Sequence, residues 1–281
     1  MSAQRVGLLH PGEMGSAVAA TLQNAGNSVY WVSEGRSRQS RERAEALGLI
    51  DAGTISCLSA QCSAIVSVCP PEFADDVANQ VLSSSFRGLF IDANAISPNR
   101  TERMGQCVTN SGAHFVDASI IGLATREPGR VWIYFSGERA ADAAALFGTS
   151  GPLQPEPIDG PVGRASALKM CYAGYNKGSA ALLCATLAAA EQLGVRELLS
   201  RQWARSDRDM AGAEKKAGRV SAKAWRFGAE MREIAETFAT AGATQEFHRA
   251  AEEVYARLAE FKDAESPDLN KILSALVGRA E

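Results

Sequence analysis

Histidines and cysteines are few in these 281 residues, three and six. No two cysteines form a C-x-x-C pair and no His/Cys cluster has zinc spacing, so no metal site is expected. Cys57, Cys62, Cys69, Cys107, Cys171 and Cys184 read instead as small thiols in a reducing compartment. A strong charge of either sign is also missing. The formal net charge is -3, which points to neither nucleic acid nor a membrane surface as the main partner. Basic clusters are local, as at Arg36, Arg38, Arg41 and Arg43. No apolar run reaches spanning length, the nearest being residues 178–190, short and alanine-rich. Residues 1–9 carry no charged region ahead of a long apolar stretch, which argues against a signal peptide. A cytoplasmic protein is expected. Internal repeats and low-complexity tails are absent from the pattern too.

What is present is an alternation. Residues 6–9 read as a buried strand, 14–25 as a helix closed by Gly26, and 28–33, with Val29, Tyr30, Trp31 and Val32, as a second strand. A charged helix over 38–47 ends at Gly48. Residues 64–69 (AIVSVC) form a strand stopped by Pro70 and Pro71, and 72–82 are helical. A strand at 89–92 precedes a helix over 97–110, and 114–118 and 131–136 are later strands. Strands alternating with helices of this length predict βαβ units, a parallel sheet and helices on both faces.

The composition changes near residue 160. Residues 148–163 are turn-rich, with four prolines and four glycines, and no strand is read beyond them. Residues 165–193 form one long helical stretch of mostly small apolar residues. A helix apolar nearly all round belongs in a core or an oligomer interface. Ser221 is placed to cap a helix whose apolar face carries Ala224, Phe227, Met231, Ile234 and Phe238. The next helix places Phe247, Ala251, Val254, Leu258 and Phe261 at spacings of three and four.

The first strand leads into His10-Pro11-Gly12-Glu13-Met14-Gly15. The dinucleotide fingerprint G-x-G-x-x-G lies between a strand and a helix, where the helix amides face the phosphates. Gly12 falls where backbone must approach a diphosphate, Gly15 where helix and strand pack closely, and Pro11, Glu13 and Met14 complete the turn. His10 stands in place of the first glycine and reads as a local turn residue without a catalytic role. The second strand ends in Val32-Ser33-Glu34-Gly35-Arg36-Ser37-Arg38. Glu34 is the acid that would hold the ribose hydroxyls of NAD. Arg36, Ser37 and Arg38 suit a 2′-phosphate better, because guanidinium binds phosphate with paired hydrogen bonds. With Ser33 beside them, they favour NADP, with NAD as the alternative. The expected fold is α/β, an N-terminal Rossmann domain over residues 1–160 followed by an all-α substrate and dimerisation domain over 161–281.

Several stretches together resemble the β-hydroxyacid dehydrogenases related to 6-phosphogluconate dehydrogenase. They are GLLHPGEMG (7–15), Cys69-Pro70-Pro71, DANAISP (92–98), DASIIG (117–122), Gly160-Pro161-Val162-Gly163 leading to Lys169, and Lys223-Ala224-Trp225-Arg226-Phe227. The second half is most similar to a bacterial subgroup of NAD(P)-dependent oxidoreductases. The resemblance implies hydride transfer to or from nicotinamide, with Lys169 as general acid/base. It places Cys69, Pro70 and Asn94 at the cofactor, and Ser119, Ile121, Gly122, Tyr172, Lys223 and Trp225 at the substrate. Where the family has an asparagine four residues after the lysine, this chain has Ala173. Asn176, a further turn along the same face, and Tyr172 are the candidates for its role. Ile121 stands where the family binds a substrate carboxylate through serine and glycines. Ser119 can compensate, and a more apolar substrate fits this loop.

A small hydroxy acid, alcohol or carbonyl compound is therefore the expected substrate. Two other readings stand beside it. One is an imine reductase, to which the Ile120-Ile121 loop is similar although such enzymes usually lack this lysine. The other is a non-catalytic NADPH-binding protein. A homodimer through the C-terminal helices is expected from the apolar stretch at 165–193.

Overall fold

The computed structural model describes residues 3–125, 127–206, 208–262, 264 and 267–277. The chain divides into two compact units at Lys169 and Met170. In the first unit the strands are β1 (Arg5–Leu9), β2 (Ser28–Trp31), β3 (Ile50–Asp51), β4 (Ala64–Ser67), β5 (Leu89–Asp92), β6 (His114–Ile121), β7 (Val131–Ser136) and β8 (Leu153–Pro157). They form one eight-stranded sheet in the order β3-β2-β1-β4-β5-β6-β7-β8. Its helices are α1 (Glu13–Asn24), α2 (Arg38–Ala46), α3 (Ile55–Gln61), α4 (Ala74–Ser83), α5 (Pro98–Asn110) and α6 (Ala140–Phe147). α7 (Arg164–Gln192) begins in this unit and continues into the second.

The helices cover both faces of the sheet, as expected. On one face Val6, Leu8, Val66, Ile91 and Val116 pack with Ala17, Val18 and Leu22 of α1 and with Ala143 and Phe147 of α6. On the other, Leu9, Ile65, Phe90 and Phe115 pack with Leu58 of α3, Val77 and Val81 of α4, and Met104 and Val108 of α5. Alternate residues of each strand serve the two clusters, which is the period-two signature of a sheet buried on both sides.

Local chemistry explains the helix starts. Ser37 accepts the amide of Ser40 at 3.2 Å to open α2, and Thr54 accepts that of Cys57 at 3.2 Å to open α3. Pro98 occupies the first turn of α5, where its missing amide costs nothing.

The sheet differs from the all-parallel expectation. β6 and β7 are antiparallel, because the connection over 122–130 is too short for the crossover of a dozen or more residues that a parallel pair needs. β8 was hidden in the turn-rich stretch. It is an edge strand with Pro155 and Pro157 within it, pairing with β7 alone, the one setting in which proline is tolerated in a sheet.

The second unit holds the rest of α7 with α8 (Arg196–Ala204), α9 (Met210–Ser221), α10 (Ala224–Thr240), α11 (Glu246–Arg257) and α12 (Leu269–Leu276). Its core joins Met231, Ile234 and Ala235 of α10 to Ala251 and Tyr255 of α11. The Tyr255 hydroxyl donates to the Lys177 carbonyl of α7 at 2.7 Å, and its ring meets Phe227 edge-on at 5.2 Å.

Two details correct the sequence reading. Ser221 ends α9 with its hydroxyl on the Gly218 carbonyl and does not cap α10. Phe247 is 75% exposed, so the buried face of α11 runs through His248, Ala251 and Tyr255 instead. On α7, Tyr175 (78%) and Leu182 (70%) are exposed in the single chain. Among the described residues no helix is long and apolar enough to cross a membrane.

Candidate cofactor and active site

The order of the strands changes direction between β1 and β4. At such a switch point the loops after the two strands part, and a crevice opens at their carboxyl ends. The glycine-rich turn lies there. A Cβ on Gly15 would sit 2.2 Å from the His10 carbonyl oxygen, so only glycine lets α1 pack on this turn. A Cβ on Gly12 would meet nothing within 4 Å. Nothing within the chain crowds the backbone at Gly12, which leaves it open to close approach by a ligand. Gly12 caps α1 without a side-chain hydrogen bond, so the first-turn amides of the helix point outward with their partial positive charge.

His10 takes φ 76°, a left-handed conformation that costs a side chain about 1–2 kcal/mol. Its Nδ1 is buried without a hydrogen-bond partner. Burial, then the nearby Arg36 guanidinium, lower its pKa to about 4. Arg36 follows the end of β2, and its Nε is likewise buried without a partner. The neighbouring charges are committed elsewhere. Arg38 pairs with Glu42 at 2.6 Å on the surface, and Arg41 donates to the Ser33 carbonyl at 2.6 Å. Glu34 is exposed and its amide bonds the Gly53 carbonyl at 3.1 Å.

Across the middle of the sheet runs a row of polar residues. Leu9 pairs with Ser67, Ser67 with Asp92, Asp92 with Asp117, and Asp117 with Ser136. All four polar side chains are buried, on the face that α3, α4 and α5 cover. Residues paired side by side share a face, so two carboxyl groups meet inside the protein.

Asp117 accepts the Ser136 hydroxyl at 2.9 Å, the Ser166 hydroxyl at 2.7 Å, and the amides of Gly163 and Ser166 at 3.0 Å each. The Ser136 hydroxyl in turn accepts the Ala165 amide at 3.0 Å. The otherwise unpaired first-turn amides of α7 are thus satisfied by β6 and β7. Asp92 is bonded at Oδ1 by the Asn94 side chain, while its Oδ2 is buried without a partner. Burial and the Asp117 carboxylate push Asp92 up to about 8, and burial also raises Asp117. The four donors around Asp117 oppose that rise and favour its ionised form over that of Asp92. Asp92 therefore holds the proton at neutral pH.

Asn94 is a structural node. It accepts the Cys69 amide at 2.6 Å and donates to Ser67 at 3.2 Å as well as to Asp92. Both its amide hydrogens are committed, so it fixes the ends of β4 and β5 against each other. Burial pushes the Cys69 thiol up to about 12, which makes it a neutral wall beside Pro70. Ser119 lies on the same strand and face as Asp117, two residues nearer the carboxyl end. Its hydroxyl is buried without a partner. Ile121 and Gly122 end β6, and a Cβ on Gly122 would meet the Arg130 carbonyl oxygen at 3.0 Å.

Lys169 sits one turn beyond Ser166 on α7, half-buried, and its charge reaches Asp92. The first unit therefore holds Pro11, Gly12, Glu13, Met14, Ser33, Glu34, Arg36, Cys69, Pro70, Asn94, Ser119, Ile121, Gly122 and Lys169 at strand ends, adjoining turns or the first turns of α7. Tyr172, Asn176, Lys223 and Trp225 belong to the second unit. The Asn176 side chain donates to the Tyr172 carbonyl at 2.9 Å within α7. Lys223 precedes α10, and the Trp225 ring carries the Lys262 ammonium at 4.3 Å. Asp92, Asp117, Ser136 and Ser166 were not singled out as site residues in the sequence. The signal was an aspartate ending one strand and another at the paired position of the next, visible only once the register is known.

A mostly parallel sheet with a glycine-rich turn at its switch point defines a dinucleotide-binding domain. A family model for the NAD binding domain of 6-phosphogluconate dehydrogenase matches residues 5–146, just over half of the chain. The protein belongs to that family. A domain of unknown function matches residues 190–258. An uncharacterized 28.5 kDa protein from the 7S RNA 5′ region of Methanothermus fervidus is 29% identical over 191 residues, 68% of this chain and 72% of that protein. Among solved structures, a conserved protein of unknown function, described as structurally similar to 3-hydroxyacid dehydrogenases, is 26% identical. It matches 92% of this chain and 97% of its own with a TM-score of 0.66. The 3-hydroxyisobutyrate dehydrogenase of Mycobacterium tuberculosis shares the fold at 18% identity, over 99% and 100% of the two chains, with a TM-score of 0.72. An imine reductase from Myxococcus stipitatus shares it at 14% identity over 98% and 99%, with a TM-score of 0.57. The fold is that of the 3-hydroxyacid-dehydrogenase type of NAD(P)-dependent oxidoreductase.

Proposed function

We propose that the protein is an NADP-dependent oxidoreductase that interconverts a small hydroxy acid or alcohol with its carbonyl compound, using Lys169 as general acid/base. One observation carries this reading. His10, Arg36, Asp92 and Ser119 each bury a polar atom with no partner, and all four lie at or just beyond the carboxyl ends of β1, β2, β5 and β6. Buried polar groups are nearly always paired, so a run of orphans along one sheet edge marks a place where a ligand completes them.

The chain supplies distinct parts. The turn at Gly12 and the amides opening α1 bind a diphosphate, and Arg36 binds the ribose end. Asn94 and Cys69 hold the walls where the nicotinamide belongs. When bound, that ring gives or takes the hydride. Lys169 handles the proton: as an ammonium it donates to the nascent alkoxide during reduction, and as a free amine it accepts the hydroxyl proton during oxidation. Ser119 offers one hydroxyl to the substrate, and Ile121 adds apolar surface.

The apolar Ile120 and Ile121 at this position favour a second reading, reduction of an imine. Titration with NADPH and NADH, followed by turnover assays on β-keto acids, aldehydes and cyclic imines, separates the two. Tighter NADPH binding with carbonyl turnover is expected. NADPH binding with no turnover of any compound would leave a cofactor-binding protein without catalysis.

The exposed Tyr175 and Leu182 of α7, with the exposed Leu193 just beyond its end, lie on the element that the sequence assigns to dimerisation. We propose a homodimer through the helical unit, in a cytoplasmic protein. Light scattering at micromolar concentration is expected to give twice the mass of one chain, and a monomer mass would refute it.

A further inference from the structure

His10 occupies a position where glycine would carry no strain, so its side chain calls for an account. Its imidazole is neutral at physiological pH, and its buried Nδ1 has no partner. Arg36 lies beside it with a buried, unpartnered Nε. The field at His10 comes from this guanidinium. Cys69, near Arg36 and just beyond the end of β4, stays a thiol, because burial opposes its ionisation. The pair thus presents one fixed cation and one neutral group able to become a second. No anion is recorded against either nitrogen among the described residues.

We propose that His10 and Arg36 together seat the 2′-phosphate monoester of the cofactor, and that the imidazole takes up one proton from solvent when this group binds. The inference rests on the NADP reading above and deepens it. Arg36 follows the end of β2, where this fold meets the adenosine ribose. A phosphate monoester brings nearly two negative charges and three acceptor oxygens. Burial first, and then the guanidinium, keep His10 neutral. The phosphate cancels the second and supplies the imidazole with charged acceptor oxygens against the first, so the imidazole protonates and becomes a second charged donor. The diphosphate has its own seat on the amides opening α1. It carries no group that titrates near neutrality.

Calorimetric titration at pH 6.5, in two buffers of different ionisation enthalpy, reads the protons taken up per ligand bound. Wild type and His10→Gly are compared with NADPH, NADH and 2′-AMP. Glycine accepts the positive φ, so the variant folds. His10→Asn is the second variant, since asparagine also tolerates that conformation. The bound monoester's own ionisation is read in each protein from its phosphorus NMR shift and subtracted, so the remaining difference isolates His10.

Wild type is expected to take up roughly half to one proton more than His10→Gly with NADPH and with 2′-AMP, and no more with NADH. The preference for NADPH over NADH is expected to fall about tenfold in the variant. Equal proton uptake in the two proteins overturns the role of His10. The same excess with NADH moves the pair to the diphosphate and overturns the 2′-phosphate assignment. Failure of wild type to bind either dinucleotide overturns the cofactor reading itself, and this inference with it.

Discussion

Replacing Lys169 by alanine is expected to lower turnover by about 10³-fold on the best carbonyl substrate found, within the usual range for a general acid/base. NADPH affinity is expected to stay within about threefold, because the cofactor contacts come from strand ends and not from α7. The two effects separate for a structural reason. The start of α7 is fixed by Asp117 and Ser136 through backbone amides and the Ser166 side chain, so removing one side chain a turn later leaves the helix in place. Stopped-flow turnover and fluorescence titration of NADPH on the same preparation test this. Turnover within tenfold of wild type would take Lys169 out of the chemistry. Equal loss of NADPH binding would make it a structural residue.

The largest stability effect is expected at Asp117. Asp117→Asn turns one of two acceptor oxygens into a donor among four donors, inside the protein. Breaking a buried charged network by removing one partner costs about 3–5 kcal/mol. For a domain of this size that lowers the melting temperature on the order of 10 °C. Asp92→Asn is expected to cost less than about 1 kcal/mol, since an amide replaces a carboxyl group that is already neutral. Thermal unfolding of the two variants in parallel decides which aspartate carries the charge. Equal losses, or a larger loss at Asp92, would reverse the assignment.

Most of the fold was legible because period and punctuation agree in this chain. β1, β4 and β5 are short apolar runs bounded by glycine, proline or aspartate, and α7 is one long run of helix formers. What escaped notice has physical reasons. β8 carries two prolines that only an edge strand accommodates. The antiparallel turn from β6 to β7 depends on the connection between them, which carries no periodic signal. β3 is two residues long, held by its neighbour and not by its own composition.

The candidate site divides in the same way. The glycine turn and Arg36 announce themselves through motif and position, and Lys169 through the family resemblance. Asn94 stood out as a residue near the cofactor, yet its amide proves to tie β4 to β5. The pairing of Asp92 with Asp117 is a property of register between strands, which no local window contains. Ile121 was legible by its place in the DASIIG stretch and ends β6.

β6 sets a rule for how this protein can change. Side chains at 117, 119 and 121 leave the strand on one side, the first anchoring α7 and the others forming the proposed mouth of the substrate site. An inserted or deleted residue between them would swing the mouth to the opposite side of the sheet while leaving the anchor behind. New preferences at this end can therefore arise by swapping side chains at 119 and 121, but not by altering the length of the strand.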